Sequence, residues 1–198
     1  ASHELRTPVA ILVSQTELTL SRIRSQAEYE EALQTCRRTA LRMRTLVEGL
    51  LFLARIDAGE TDKITGEFDL AAMVEECVAD LAPLAEQREL TIEMNLTPAR
   101  VRSNRSRMIQ VLTNLVTNAI RYNRPPGKII VRVKSDGPDA VLVVEDTGIG
   151  ISNEDLPHVF ERFYRVDKAR TLADGGTGLG LAICKTIVES FGGTISVA

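Results

Sequence analysis

Between Glu28 and Asp57, the residues Leu33, Cys36, Ala40, Met43, Val47, Leu50 and Ala54 follow one another at alternating steps of three and four. That spacing is a heptad seam, which keeps apolar side chains on one line of an α-helix packing at a shallow angle in a bundle. Upstream, from Ser2 to about Arg24, Leu5, Val9, Leu12, Leu18 and Leu20 recur less regularly, and Pro8 is expected to bend that helix. A polar turn near Ser25 joins the two into a hairpin. Two helices cannot enclose a core alone, so the seam predicts a partner, most simply a second copy that completes a four-helix bundle.

The stretch "DAGETDKITGEF" ends the heptads with Gly59, Gly66 and a polar run, and marks a boundary near residue 60. Beyond it the periodicity alternates between two and 3.6. A strand near Glu67 to Leu70 leads to an apolar-faced helix ending about Arg88. The strand "LTIEMNL" follows, then a long helix from about Ser103 to Tyr122. "KIIVRVK" and "AVLVVEDT" read as strands joined by "SDGPD", with Ile129, Val131 and Val133 alternating as on a half-buried strand. A final helix from about Gly178 to Phe191 sets Leu181, Cys184, Ile187, Val188 and Phe191 on one face. The fold class expected is α+β: a helical hairpin over 1–60 forming a dimeric four-helix bundle, then an α/β sandwich over 61–198. Ala1 stands too near His3 to build the helix around it, and "GGTISVA" is expected to stop inside a strand. Both ends are therefore read as cut from a longer protein.

A 44% apolar fraction over 198 residues suits a packed, soluble chain. The formal charge of −3, with both signs interspersed, leaves no electrostatic footprint of a nucleic-acid binder. No apolar run approaches the about 18 residues that cross a bilayer, so no membrane contact is expected of this stretch. Cys36, Cys77 and Cys184 lack metal or redox spacing and are expected as reduced core residues of a cytoplasmic protein.

The candidate chemistry lies in a few stretches. In "SHELRTP", His3 adjoins a carboxylate, Glu4, and Thr7 follows one helical turn later. In "QVLTNLVTNAIRYN", Gln110, Asn114, Asn118 and Arg121 fall on one helical stripe. Asparagine is a poor helix former, and a merely solvated face would normally be Glu and Lys. Neutral oxygen donors beside a cation suit hydrated magnesium bridging to phosphates. "VVEDTGIGIS" ends a strand with Asp146 before Gly148 and Gly150; a glycine pair there is commonly only a turn. A buried Asp146 at its mouth would accept a hydrogen bond from an exocyclic amine while the glycines let a flat ring approach the backbone. "DGGTGLGLAI" sets Gly175, Gly176, Gly178 and Gly180 before a helix, an arrangement suited to anions or simply to helix capping. It is neither a P-loop nor a dinucleotide fingerprint. Between the glycine boxes, "VFERFYRVDKARTLADGG" passes from Phe160, Phe163 and Tyr164 into a polar segment with the composition of a lid.

Taken in order, these stretches resemble the bacterial sensor histidine kinases of two-component systems: "SHELRTP" the H box, "NLVTNA" the N box, "DTGIG" and "GTGLGL" the glycine boxes, and "FERFYR" the F box. The resemblance covers nearly the whole chain. It implies that His3 accepts the γ-phosphoryl group of ATP with Glu4 as the adjacent base. It implies too that Thr7 positions water for dephosphorylating the partner regulator, and that Pro8 lets the hairpin flex between kinase and phosphatase states.

The resemblance makes Asn118 the magnesium ligand, with Asn114 in support. Arg121 and Tyr122 would approach the phosphates, Arg165 would steady the γ-phosphate, and Asp146 would read the adenine amine. Gly148, Gly150, Gly176, Gly178 and Gly180 would shape the pocket and lid. Lys168 and Arg170 are expected on a solvated loop, and His158 on the surface. The implied cofactors are ATP and Mg2+. The implied partners are a second copy and a response-regulator receiver domain, docking around Ser14 and Gln15. The implied setting is a cytoplasmic core of a protein anchored in the bacterial inner membrane. A GHKL-type ATPase of the gyrase and mismatch-repair kind shares such a pocket but not an H box on a hairpin; a catalytically silent scaffold is the other alternative.

Overall fold

Ser25 sets the hairpin turn: its side chain accepts the Glu28 amide, and the Glu28 carboxylate returns to the Ser25 amide at 2.9 Å, a reciprocal capping box. Arg24, pairing with Glu28 at 3.3 Å and donating to the Leu18 carbonyl, closes the same turn. The structure, a computed structural model, describes residues 2–60, 62–166 and 176–198, with the backbone alone at residues 2 and 3. The described residues divide into two compact units, one containing Ala1–Gly59 and Arg162–Leu179, the other Glu60–Glu161 and Gly180–Ala198.

In the first unit, α1 spans Ser2–Leu20 and α2 spans Gln26–Asp57, so α1 ends before the expected Arg24. The helix continues through Pro8, which is buried. On α1 the stripe Leu5, Pro8, Leu12, Gln15 and Thr19 is shielded, and on α2 Ala32, Leu46, Gly49, Phe52 and Leu53 are buried. The expected seam on α2 is a neighbouring stripe: Cys36, Met43 and Leu50 are half-buried, while Leu33, at 69%, and Val47, at 41%, are exposed in the single chain.

In the second unit, β1 (Gly66–Asp69) pairs antiparallel with β3 (Arg100–Ser103), and a three-stranded sheet runs in the order β2-β4-β5. β2 (Leu90–Leu96) lies parallel to β4 (Gly127–Asp136), which pairs antiparallel with β5 (Asp139–Asp146). α3 (Leu70–Glu86), α4 (Arg105–Arg121) and α5 (Gly180–Ser190) supply the helices, and a short 3-10 turn spans Leu156–His158. Ile129, Val131 and Val133 point from β4 into a core with Met73 and Val74 of α3 and Leu112, Val116 and Ile120 of α4. The opposite sheet face carries cross-strand ion pairs, Lys128–Glu93 and Arg132–Glu145, each at 2.6 Å. This is the expected α/β sandwich.

Three details differ from the sequence reading. β3 was not anticipated, residues 193–198 form no strand, and Cys36 is half-buried rather than in a core as Cys77 and Cys184 are. Among the described residues no helix is long and apolar enough to cross a membrane.

Candidate functional site

The expected site residues fall in both units, and each group stands on its own local geometry. In the second unit, the α4 stripe is not a solvated face: Gln110, Asn114, Asn118 and Arg121 are all half-buried. Asn104 starts this helix by accepting the Arg107 amide at 3.3 Å, which fixes the stripe's phase. Asn114 Nδ2 donates to the Gly180 carbonyl at 3.4 Å, tying the middle of α4 to the first residue of α5. Asn118 makes no side-chain hydrogen bond among the described residues, leaving its amide available to a ligand. The α4–α5 packing buries Cys184, whose thiol lies 3.7 Å from the Val111 carbonyl; burial pushes its pKa up to about 12.

Asp146 is the last residue of β5. Strand alternation puts it on the same sheet face as Leu142 and Val144, the helix-covered face. It is exposed, against the expectation of a buried carboxylate, because Asp146 ends β5, an edge strand among the described residues. One oxygen, Oδ1, accepts the Gly148 amide at 2.8 Å and so holds the carboxylate across the turn. The turn itself is drawn onto the end of α4, with the Ile149 amide donating to the Tyr122 carbonyl at 3.1 Å. At Gly148 a β-carbon would meet that carbonyl oxygen at 2.4 Å and Asp146 Oδ1 at 2.6 Å. Gly148 is therefore required by close approach. Gly150 continues the turn at φ +71°, and Tyr122 borders it, partly exposed.

This donor set fits magnesium-bound nucleotide: an uncommitted amide on a rigid helix, a cation at Arg121, and an acceptor beside a backbone with no side chain in the way. Among the described residues no group of three or more His, Cys, Asp and Glu lies together as a metal site.

In the first unit, His3 and Glu4 lie in the first turn of α1, and Thr7 follows on its exposed surface. Glu4, Thr7, Ser14 and Gln15 line one shallow groove along this helix. Residues 162–165 of the F-box segment belong to the same unit. Arg162 grips both carboxylate oxygens of Asp57 at 2.7 Å, and its hydrogen bonds hold the Asp57 carboxyl below the usual carboxylate range. Arg165, 9% exposed, comes to 3.9 Å from Glu4. Arg42 donates to the carbonyl of the buried Gly176 at 3.1 Å. Phe163 has φ +67°, an outlier for a bulky residue, and is held by its amide donating to the Gly178 carbonyl at 2.8 Å. Gly178, at φ +68° and with a β-carbon position 2.8 Å from Phe163 Cα, admits no other residue without strain. Gly175, Lys168 and Arg170 lie outside the described residues. His158 is exposed and pairs with Glu161 at 2.7 Å.

Sequence reasoning missed Asn123 and Thr147, which bond to each other at 3.1 Å, and the Asp57–Arg162 pair. Both features join residues far apart in the chain, and no periodicity marks them.

Two family models match: His Kinase A (phospho-acceptor) domain over residues 1–59, and Histidine kinase-, DNA gyrase B-, and HSP90-like ATPase over 103–198. Sensor protein SrrB of Staphylococcus aureus (strain N315) is 39% identical over 99% of this chain, which spans about a third (34%) of that relative's length. Among solved structures, the Acinetobacter baumannii histidine kinase AdeS is 30% identical, with TM-score 0.78, over 99% of this chain and 90% of that one. The mycobacterial sensor histidine kinase MprB, also 30% identical, matches 64% of this chain and 79% of its own with TM-score 0.54.

Proposed function

Because the chain belongs to the sensor histidine kinases, we propose that it is a kinase core that transfers the γ-phosphoryl group of magnesium-ATP to His3 and thence to an aspartate of a response-regulator receiver domain. The observation that carries the reading is the convergence at one end of the second unit: Asn118 with an uncommitted amide, Asp146 held by Gly148, and the α4 end stitched to that turn. Asp146 takes the adenine amine through the oxygen that Gly148 does not use. Asn118 holds magnesium, with Asn114 keeping the helix on α5; Arg121, Tyr122 and Arg165 meet the phosphates, and Gly148, Gly150, Gly176, Gly178 and Gly180 shape the pocket and lid. Magnesium supplies charge neutralisation on the phosphate oxygens.

On this reading the functional boundary lies near residue 60, with phosphotransfer in 1–60 and nucleotide binding in 61–198. The imidazole of His3 attacks the γ-phosphorus, the bond to the bridging oxygen of ADP breaks, and Glu4 takes the imidazole proton. Thr7, which lines the same groove as Ser14 and Gln15, positions water when the core acts as a regulator phosphatase. The outward apolar stripe of the hairpin, with Val9, Val13, Leu33 and Val47 exposed, supports a homodimer. The full-length protein is a membrane-anchored sensor whose kinase core faces the cytoplasm. The test is transfer: labelled chain incubated with purified receiver domains passes its label to one of them within seconds, and failure with every receiver tested, at full His3 labelling, contradicts the phosphotransfer step.

A further inference from the structure

Asn123 follows Tyr122, the C-cap of α4, and its half-buried carboxamide bonds through both its nitrogen and its oxygen. Its Nδ2 donates to the Lys128 carbonyl at 3.2 Å, and its Oδ1 accepts from the Arg124 amide at 3.0 Å and from Thr147 Oγ1 at 3.1 Å. Thr147 in turn accepts the Lys128 amide at 2.9 Å on its hydroxyl, and its own amide donates to the Lys128 carbonyl at 3.1 Å. One carboxamide and one hydroxyl therefore fasten three pieces of chain: the end of α4, the start of β4 and the turn after β5. Thr147 sits between Asp146 and Gly148. Any slack in its position moves the carboxylate relative to the helix that carries Asn118 and Arg121.

We propose that Asn123, acting through Thr147, is a positioning residue of the nucleotide site: it sets the distance between the base-reading carboxylate of Asp146 and the phosphate-facing end of α4. The inference rests on the reading of Asp146 and Asn118 given above. A hydrogen bond between two neutral side chains contributes modestly to stability, but a small displacement at a recognition carboxylate weakens binding in proportion to the geometry lost. Base selectivity is the property that separates positioning from plain support.

The experiment compares Kd for ATP and for inosine triphosphate, which lacks the exocyclic amine, in the full chain and in Asn123→Ala, Thr147→Val and Thr147→Ser, well below each melting temperature. Expected is a clear ATP preference in the wild type, a preference reduced at least five-fold in Asn123→Ala and Thr147→Val, and its retention in Thr147→Ser, which keeps the hydroxyl. Thr147 is exposed and valine matches its shape, so Thr147→Val decides the question even where Asn123→Ala does not fold. Unchanged preference in folded Thr147→Val overturns the proposal. A wild type that binds ATP and inosine triphosphate equally overturns instead the assignment of Asp146 on which it rests.

Discussion

Gly148 stands so close to Tyr122 that a β-carbon placed on it would lie 2.4 Å from the Tyr122 carbonyl oxygen. That approach lets the Ile149 amide reach the same oxygen and fixes the turn after β5 to the end of α4. Gly148→Ala must push the two apart. The cost of such overpacking is about 1–3 kcal/mol, and on the proposed function it displaces the carboxylate that reads the base. Thermal melts are expected to shift down by several degrees, and ATP titration to show at least a ten-fold weaker complex.

Asn118→Ala has the opposite balance. The amide has no partner among the described residues, and alanine is the better helix former by roughly 0.5 kcal/mol. The melting temperature is expected to hold or rise slightly while magnesium-dependent ATP binding is lost. A variant that both destabilises the fold and keeps ATP affinity would place Asn118 in the packing rather than the site.

Cys184 gives a pH test. Burial raises its pKa from 9.0 to about 12, so the folded chain holds the thiol proton more tightly than the unfolded chain does. The stability from this group is fully present below about pH 9 and is lost as pH rises towards 12. Urea midpoints are expected to fall over that window, and to fall less in Cys184→Ala. Thiol reagents are expected to label the half-buried Cys36 first, with Cys77 and Cys184 reacting only on unfolding.

The hairpin makes a separate prediction. Val47 faces outward on α2 while Leu46 beside it is 1% exposed. Val47→Glu is expected to lower the sedimentation mass from two chains to one with helicity retained; Leu46→Ala, a large-to-small change in the hairpin's own seam, is expected to cost about 2–5 kcal/mol of stability. Equal effects of the two on folding would mean that both stripes serve one chain.

Much of this was legible in the sequence because it is periodic. The α4 stripe stood out because Asn114 and Asn118 recur one turn apart in a helix that otherwise has no reason to hold asparagine. The sandwich was legible from Ile129, Val131 and Val133. The heptads of α2 were visible too, but α2 carries two apolar stripes, and spacing alone does not tell which one the chain uses for itself. β3 escaped because "RVRS" holds a single apolar residue and is a strand only by pairing with β1. Asn123 escaped for a related reason: its partner Thr147 lies 24 residues away, and a hydrogen bond across that distance leaves no pattern.

The most direct test of the central claim is incubation with γ-labelled ATP and magnesium, comparing the intact chain with His3→Gln and Asn118→Ala. The account predicts label that survives alkali, is lost in acid, and is absent from both variants. Label that persists in His3→Gln, or none at all on an intact chain shown to bind ATP and to dimerise, contradicts it.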